Sequence, residues 1–537
     1  MLDFIIKGGT VLDGSGGAAK RIDIGISEGR IAALGELGQL PAGTVLEARG
    51  KTVTPGFLDI HRHADLAVLN PDFGELELRQ GLTTIVNGNC GMSAAPFGPI
   101  HRREILAYLS PVIGTAEDFP SDSMSAYLAA VQASRPPIHV GMLAGSGVLR
   151  ADISGFAAGR LDKAQLDRLH RNMEKALAEG ALGVSLGLGY APDCFYGTEE
   201  LIEALAPLKG GSIPFTVHMR DEGSNVDRSV EEMLQVVRAL NCPMEISHLK
   251  AIGTENWGKK IPKVLELLRQ ARQEGLRVSW DAYPYTAGST QLLHVLPPEV
   301  LEGGTEVLTR RLYDPAVRDH IRRRLATGND YNNIAQLVGW ENIIVSSLRQ
   351  PENRDCLGLR IPEAAALRGQ DEVDFTLDLL RSEHCTVTMI DFINHEEDIQ
   401  AILRSDAVSV ISDATYPATG RPHPRLYGNF VRVIERYVNQ LKVLSLPEAI
   451  HKMTQAPADA LGLRQKGRIA VGADADLLIF DPARIHEAGT YLEPAQFAQG
   501  IDHVLVSGVP VLLDGKLTGA RPGKLLVRGE GRASGDK

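Results

Sequence analysis

The sequence has no basic excess. Its 56 lysines and arginines are outnumbered by 67 aspartates and glutamates, a formal charge of -11, which argues against a nucleic-acid partner, whose binders usually carry clustered positive charge. No apolar run approaches membrane-spanning length, so no membrane partner is expected. The opening stretch "MLDFIIKGGTVLDGSG" has an acid at Asp3 and a turn at Gly8 where a secretory leader would have a basic and then an apolar segment. A cytoplasmic location is the expectation. Disulfide chemistry is equally poorly represented. Cys90, Cys194, Cys242, Cys356 and Cys385 are odd in number, scattered and without a CxxC pair, which suits reduced thiols. Each is expected to be a small buried hydrophobe unless its neighbours say otherwise.

What is present is length, 537 residues with 44% hydrophobic content and 55 glycines. That is enough for two or three domains, or for one barrel that absorbs most of the chain, and it favours an enzyme over a small binding module. The first fifty residues alternate short strand-like runs with glycine and aspartate turns, as in "RIDIGISEGRIAALG". The same texture returns in "GRIAVGADADLLIFDP", "IDHVLVSGVPVLLDGKLTG" and "GKLLVRGEG". A small split β domain over 1–54 and 465–537 is expected from these two segments. Between them, apolar runs such as "PFTVHMR" and "AVSVISDAT" alternate with amphipathic stretches such as "AQLDRLHRNMEKALAEG" and "VEEMLQVVRALN". That alternation predicts an α/β fold with a parallel sheet, a (β/α)8 barrel over 55–464, with a doubly wound open sheet as the alternative. The segment at about 291–342 breaks the rhythm and is read as an inserted subdomain near the barrel mouth.

Barrel active sites lie where strands run into the following loops. "GFLDIHRHADL" ends in His61 and His63, whose one-residue gap puts both imidazoles on the same face of an extended segment. Cys90 ends "GLTTIVNGNCG", His218 ends "IPFTVHMR", His248 ends "PMEISHLK" and Asp413 ends "AVSVISDAT". A lone strand-end histidine is more often structural, but thiolate, imidazole and carboxylate at the ends of several separate runs form a donor set that suits zinc better than magnesium or calcium. His139, inside "PPIHVGML", is read as a core histidine.

These residues carry a resemblance. The His-Xaa-His pair after a Pro-Gly strand, the single histidines on two later strands and the aspartate on the last strand resemble the amidohydrolase superfamily, and within it "GNCGMS", "ISHLKAIG", "DAYPYTAGST" and "HPRLYGNF" are most similar to the N-acyl-D-amino-acid deacylases. The resemblance implies a (β/α)8 barrel with a β-sandwich from both termini and a zinc-dependent hydrolysis of linear N-acyl amino acids. It implies a tightly held zinc on Cys90, His218 and His248 and a second, weaker position at His61, His63 and Asp413. Many amidohydrolases bridge two metals with a carboxylated lysine on the fourth strand, whereas "GALGVSLGLGY" has none, and Cys90 matches the cysteine that takes its place. Lys250, Tyr283, Ser289 and Arg425 are implied as the clamp for the substrate carboxylate.

Zinc chemistry on an amide also needs a group that moves a proton to the leaving amine, and Asp413 is the expected one. Three residues depart from the family pattern: Ser146, Ala414 and Arg62 stand where histidine, glycine and a small hydroxyl residue are usual. A cyclic amidohydrolase and a catalytically silent scaffold are the rival readings. The missing strand-four lysine speaks against the first and the retained ligand set against the second. The expected partner is the small-molecule substrate, with the protein a monomer or small homo-oligomer.

Overall fold

Eight apolar runs build the frame of the protein, in a computed structural model that describes residues 1–38, 40–116 and 118–528. They are Phe57–Asp59 (β1), Leu82–Asn87 (β2), His139–Met142 (β3), Val184–Gly187 (β4), Phe215–His218 (β5), Met244–Ile246 (β6), Val278–Ala282 (β7) and Val408–Val410 (β8). All but Ser279 of these residues are buried, as expected for parallel strands covered on both faces. Each strand pairs in parallel with the next, β3 reaching β4 through its continuation Ala144–Gly145. The last returns to the first: Asp413 donates its amide to His61 O and His63 donates to Ala414 O, both at 2.9 Å, and Arg62 and Ala414 form a parallel bridge. The ring therefore closes, and the open-sheet alternative falls.

Helices cover the outside of the ring. Lys163–Ala178 (α1) begins at a capping box in which Asp162 accepts from the Gln165 amide, and buries Leu169, Met173, Ala176 and Leu177 at helical spacing. Val226–Leu240 (α2) buries Val226, Val230, Met233, Val237 and Leu240 in the same way.

Arg62 secures the closure of the ring. Alternation sends it to the face opposite His61 and His63. There its guanidinium, fully buried, donates to Asp59 Oδ2 (3.1 Å), Ser412 Oγ (3.1 Å), Glu77 Oε1 (2.8 Å) and the Tyr416 hydroxyl (2.8 Å). Asp59 also accepts from the Ser412 amide at 3.0 Å, so the group ties β1 to the end of β8. Burial alone would lower the Arg62 pKa, but Tyr416, Glu77 and Asp59 raise it above its ordinary value. The departure noted at Arg62 thus has a structural account, since a small hydroxyl residue would leave two buried carboxylates without a cation.

Both termini contribute to a second core. A sheet of Leu2–Lys7, Asp23–Ser27, Arg30–Gly35 and Ala42–Glu47 faces a seven-stranded sheet in which Thr52–Pro55 pairs with Leu477–Phe480 and the latter with Ile501–Val506. Ile6, Ile24, Ile26, Val53, Leu477 and Ile479 are among the side chains packed together here. "GKLLVRGEG" differs from its expectation. Leu525–Leu526 leaves the small β unit and pairs in parallel with β3 at Val140 and Gly141, because the upper part of β3 bonds to β4 while its lower part has an edge to fill. Residues 529–537, at the end of the expected β domain, lie outside the described residues.

The excursion between β7 and β8 runs past the expected end at 342. Gly288–Gln291 and Ile343–Ser347 both pair antiparallel with Thr388–Asp391, so one three-stranded sheet spans the interruption and places Gly288 to Gln291 over the barrel mouth. Arg62→Met is expected to destabilise the protein by about 3–5 kcal/mol, since it strands the Glu77 and Asp59 charges in the interior, as read from a denaturant titration; a loss below about 1 kcal/mol would deny Arg62 this role.

Candidate metal centre

The backbone is bent at three of the predicted ligands. Cys90, His248 and Asp413 have φ of 54°, 36° and 50°, a left-handed conformation that costs a non-glycine residue about 1–2 kcal/mol. At Cys90 the flanking glycines explain how the bend is reached. Gly88 (φ 80°) lies so close to the Leu143 carbonyl that a Cβ would sit 2.2 Å from its oxygen, and a Cβ on Gly91 (φ 72°) would lie 2.8 Å from Asp193 Oδ2. The "GNCG" segment therefore turns inward against β3 and β4 and delivers the thiol to the barrel axis.

The donor atoms converge there. Cys90 Sγ lies 3.2 Å from His61 Nε2 and 3.5 Å from His248 Nε2, and His218 Nδ1 lies 3.0 Å from His248 Nε2. Asp413 Oδ1 is 3.4 Å from His61 Nε2 and 3.2 Å from His63 Nε2. His61, Cys90, His248 and Asp413 together offer ligand atoms within 4.8 Å of one another, as do His218, Glu222 and His248. Five of the expected ligands fall in one or other group and His248 in both, while His63 adjoins through Asp413; the division differs from the expected one, with His61 and Asp413 beside Cys90 and His218 beside Glu222.

The local electrostatics fit a cation. Burial lowers the pKa of His61, His218 and His248 and leaves the rings neutral, with lone pairs to offer. Burial raises Cys90 well above the usual thiol value, and Asp413, Glu222 and Asp281 push it further. Asp413 goes the other way. Burial would raise it, but Arg425 and the hydrogen bond with His63 hold it well below the ordinary carboxylate range. Neutral imidazoles, a carboxylate and a thiol that needs a positive neighbour to ionise are the donor types of a zinc site.

Two carboxylates that the sequence reading missed orient these ligands. Asp281, on β7, stands 3.3 Å from His61 Nδ1 through Oδ2, and its Oδ1 accepts the backbone amide of His248. It thereby fixes His61 with Nε2 toward the thiol. Glu222 Oε1 lies 3.0 Å from His248 Nδ1 and 2.7 Å from Lys250 Nζ, and Oε2 lies 3.7 Å from His218 Nε2. The position of Glu222 four residues after His218 was the available signal. An acid inside the apolar run "RVSWDAYPY" was the signal for Asp281.

A cleft opens from this cluster, lined by His218, His248, Lys250, Tyr283, Ser289 and Asp413 among others. The Lys250 ammonium, buried, lies 2.7 Å from both Glu222 Oε1 and His248 Nδ1. Arg425, the first residue of Arg425–Arg432 (α3), stacks its guanidinium 4.8 Å from the Tyr283 ring centre and donates to Ser289 O at 3.1 Å. Its Nη1 lies 3.0 Å from Asp413 Oδ2 without hydrogen-bond alignment, so Nη1 and Nε keep donors to spare. The remaining candidates fall elsewhere. His139 accepts from the Lys524 amide through Nδ1 and donates through Nε2 to Asp476 at 3.0 Å, where the barrel meets the small β unit, as a core histidine would. Ser146 donates to Asp193 Oδ1 at 3.2 Å, Ala414 takes part in the ring closure, and the other four cysteines form no disulfide.

Comparison with known proteins shows the family. The model of the amidohydrolase family matches residues 44–512. The chain is 34% identical to N-acyl-D-glutamate deacylase of Alcaligenes xylosoxydans xylosoxydans over 98% of its own length and 97% of that protein's. It is 32% identical to D-aminoacylase of the same organism, over 98% of each chain. Among solved structures it is similar to N-acyl-D-glutamate deacylase from Bordetella bronchiseptica, complexed with zinc and a phosphonate inhibitor that mimics the tetrahedral intermediate of its reaction, with a TM-score of 0.82, 32% identity and coverage of 98% and 99% of the two chains.

Removing the orienting carboxylate is expected to weaken metal retention without dismantling the ring. Glu222→Gln should lower zinc affinity about 10- to 100-fold, measured by competition with a chromophoric chelator; an unchanged affinity would detach Glu222 from the centre.

Proposed function

The chain belongs to the amidohydrolase family, and from that membership we propose that it hydrolyses the amide bond of N-acyl-D-amino acids, releasing a carboxylate and a free D-amino acid. The observation that carries this reading is the junction of a buried thiol–imidazole–carboxylate cluster with a cleft that presents a lysine and an arginine-backed tyrosine. A linear N-acyl amino acid has the matching parts, an amide next to a free carboxylate.

Cys90, His218 and His248 are assigned the firmly held zinc, and His61, His63 and Asp413 a second, weaker position. Bound zinc supplies Lewis acidity toward an amide carbonyl and lowers the pKa of water toward about 7. The protein's own groups do the rest. Asp413, kept ionised by Arg425, is suited to take a proton from the attacking water and return it to the departing nitrogen. Lys250, Tyr283, Ser289 and Arg425 hold the α-carboxylate, with the spare donors of Arg425 supplying the fork that such an anion prefers. Glu222 accepts from the Lys250 ammonium, which in turn reaches His248 Nδ1, and so helps to hold that ring at the centre. The same reading treats 55–464 as the catalytic unit and 1–54 with 465–537 as the flanking β unit. A cyclic amide without a free carboxylate, such as a simple hydantoin, would leave this clamp without its anion.

The direct test is amine release from paired N-acetyl-D- and N-acetyl-L-amino acids with zinc present, where turnover of D substrates is expected and activity confined to cyclic amides would overturn the reading. Arg425→Ala should raise KM roughly 10- to 100-fold with a smaller change in kcat, and an unchanged KM would remove it from the clamp. Asp413→Asn is expected to abolish most turnover while the firmly held zinc stays, as judged by metal analysis; normal turnover with normal zinc content would end its assigned role.

A further inference from the structure

The relatives of this chain include a deacylase named for D-glutamate and a D-aminoacylase named for no side chain, at 34% and 32% identity. Overall likeness therefore does not choose the side chain that this cleft takes, but its charges do. Among the described residues that line it, Lys250 is the one lysine or arginine, and its ammonium already lies 2.7 Å from Glu222 Oε1. Three carboxylates line the same space, Glu222, Asp391 and Asp413. Glu222 is already matched by Lys250 and Asp413 by Arg425, so once the α-carboxylate has taken the remaining donors of those two cations, a second carboxylate on the substrate would meet Asp391 and, among the described residues, no free cation. Burying a charge in that way is strongly disfavoured.

The unpartnered polar atoms of the wall point to what would be accepted. His294 is 8% exposed, and neither of its ring nitrogens has a hydrogen-bond partner among the described residues. Its ring packs 4.4 Å from that of Tyr190, which in turn lies 4.2 Å from His218, so His294 stands one aromatic layer from the metal cluster. Burial holds its pKa down at about 3, so the ring is neutral and offers one donor and one acceptor. Asp391 is 1% exposed, and its Oδ1 is likewise without a partner, beside Gly288 at the clamp end of the cleft. Asn332 adds an amide, and Ile252, Ile334 and Ile393 supply apolar walls. Buried polar atoms left unmatched in a ligand cleft are costly unless a ligand satisfies them.

We propose that, within the deacylase reading on which this rests, the protein selects N-acyl-D-amino acids whose side chain is uncharged and ends in a group that both donates and accepts hydrogen bonds, such as a carboxamide, and rejects acidic side chains. A carboxamide can give its N–H to Asp391 or to the acceptor nitrogen of His294 and accept a hydrogen bond from the other nitrogen of that ring, whereas a carboxylate offers no donor and faces like charge.

N-acetyl-D-glutamine and N-acetyl-D-glutamate have nearly the same shape and differ by one charge. In the zinc-loaded enzyme kcat/KM for the glutamine derivative is expected to exceed that for the glutamate derivative on the order of a hundredfold or more. In Asp391→Asn the ratio should fall at least about tenfold, chiefly through a lower KM for the acid, because one repelling carboxylate is gone. Equal or faster hydrolysis of the glutamate derivative would overturn the proposal and leave the deacylase reading standing. Faster hydrolysis of N-acetyl-D-leucine than of the glutamine derivative would overturn the hydrogen-bonding preference. Absence of activity on all three would remove the proposal together with the reading beneath it.

Discussion

Lone pairs that face one another inside a protein need a proton or a cation between them, and the centre of this barrel is arranged around that need. Two neutral imidazole nitrogens at 3.0 Å, a sulfur 3.2 Å from a third and a carboxylate oxygen 3.4 Å from the same ring repel in the absence of protons or a cation. The chain holds them together by backbone means. Left-handed turns at Cys90, His248 and Asp413, the Asp281 bond to the His248 amide and the hydrogen bonds that close β8 on β1 all fix the positions of the donors. Strain collected at the ligands is offset by the surrounding strands, which is the usual arrangement at a functional site.

Arg62 and His61 show how one segment serves two ends. Strand alternation gives the odd-numbered histidines to the cluster and the even-numbered arginine to the seam. The seam is charged and buried, with Asp59, Glu77 and Tyr416 around the guanidinium, so ring closure and ligand placement depend on the same few residues. The acidic character of the chain, -11 overall, is also met again at the mouth, where three carboxylates line a cleft that has one lysine among its described residues.

The parts visible in the sequence were those governed by local pattern. Apolar runs located the eight strands, helical spacing located α1 and α2, and the polar residue that ends each run located His61, His63, Cys90, His218, His248 and Asp413. What was missed depends on contacts distant along the chain. Asp281 reads as an acid within a strand until His61, 220 residues earlier, is seen beside it. Arg62 reads as an anomaly until Tyr416 and Ser412 arrive from the other end of the ring. Leu525–Leu526 has the pattern of any short strand, and only the free lower edge of β3 decides where it pairs. Glu222 was the nearest miss, because its spacing from His218 was readable and was passed over.

The central claim is that a thiolate from the second barrel strand helps to hold the metal. X-ray absorption at the zinc edge of the purified protein tests it most directly. The account requires one sulfur scatterer at about 2.3 Å beside nitrogen and oxygen ligands at about 2.0–2.1 Å, and loss of the sulfur shell in Cys90→Ala. A zinc shell of nitrogen and oxygen alone in the unaltered protein would contradict it.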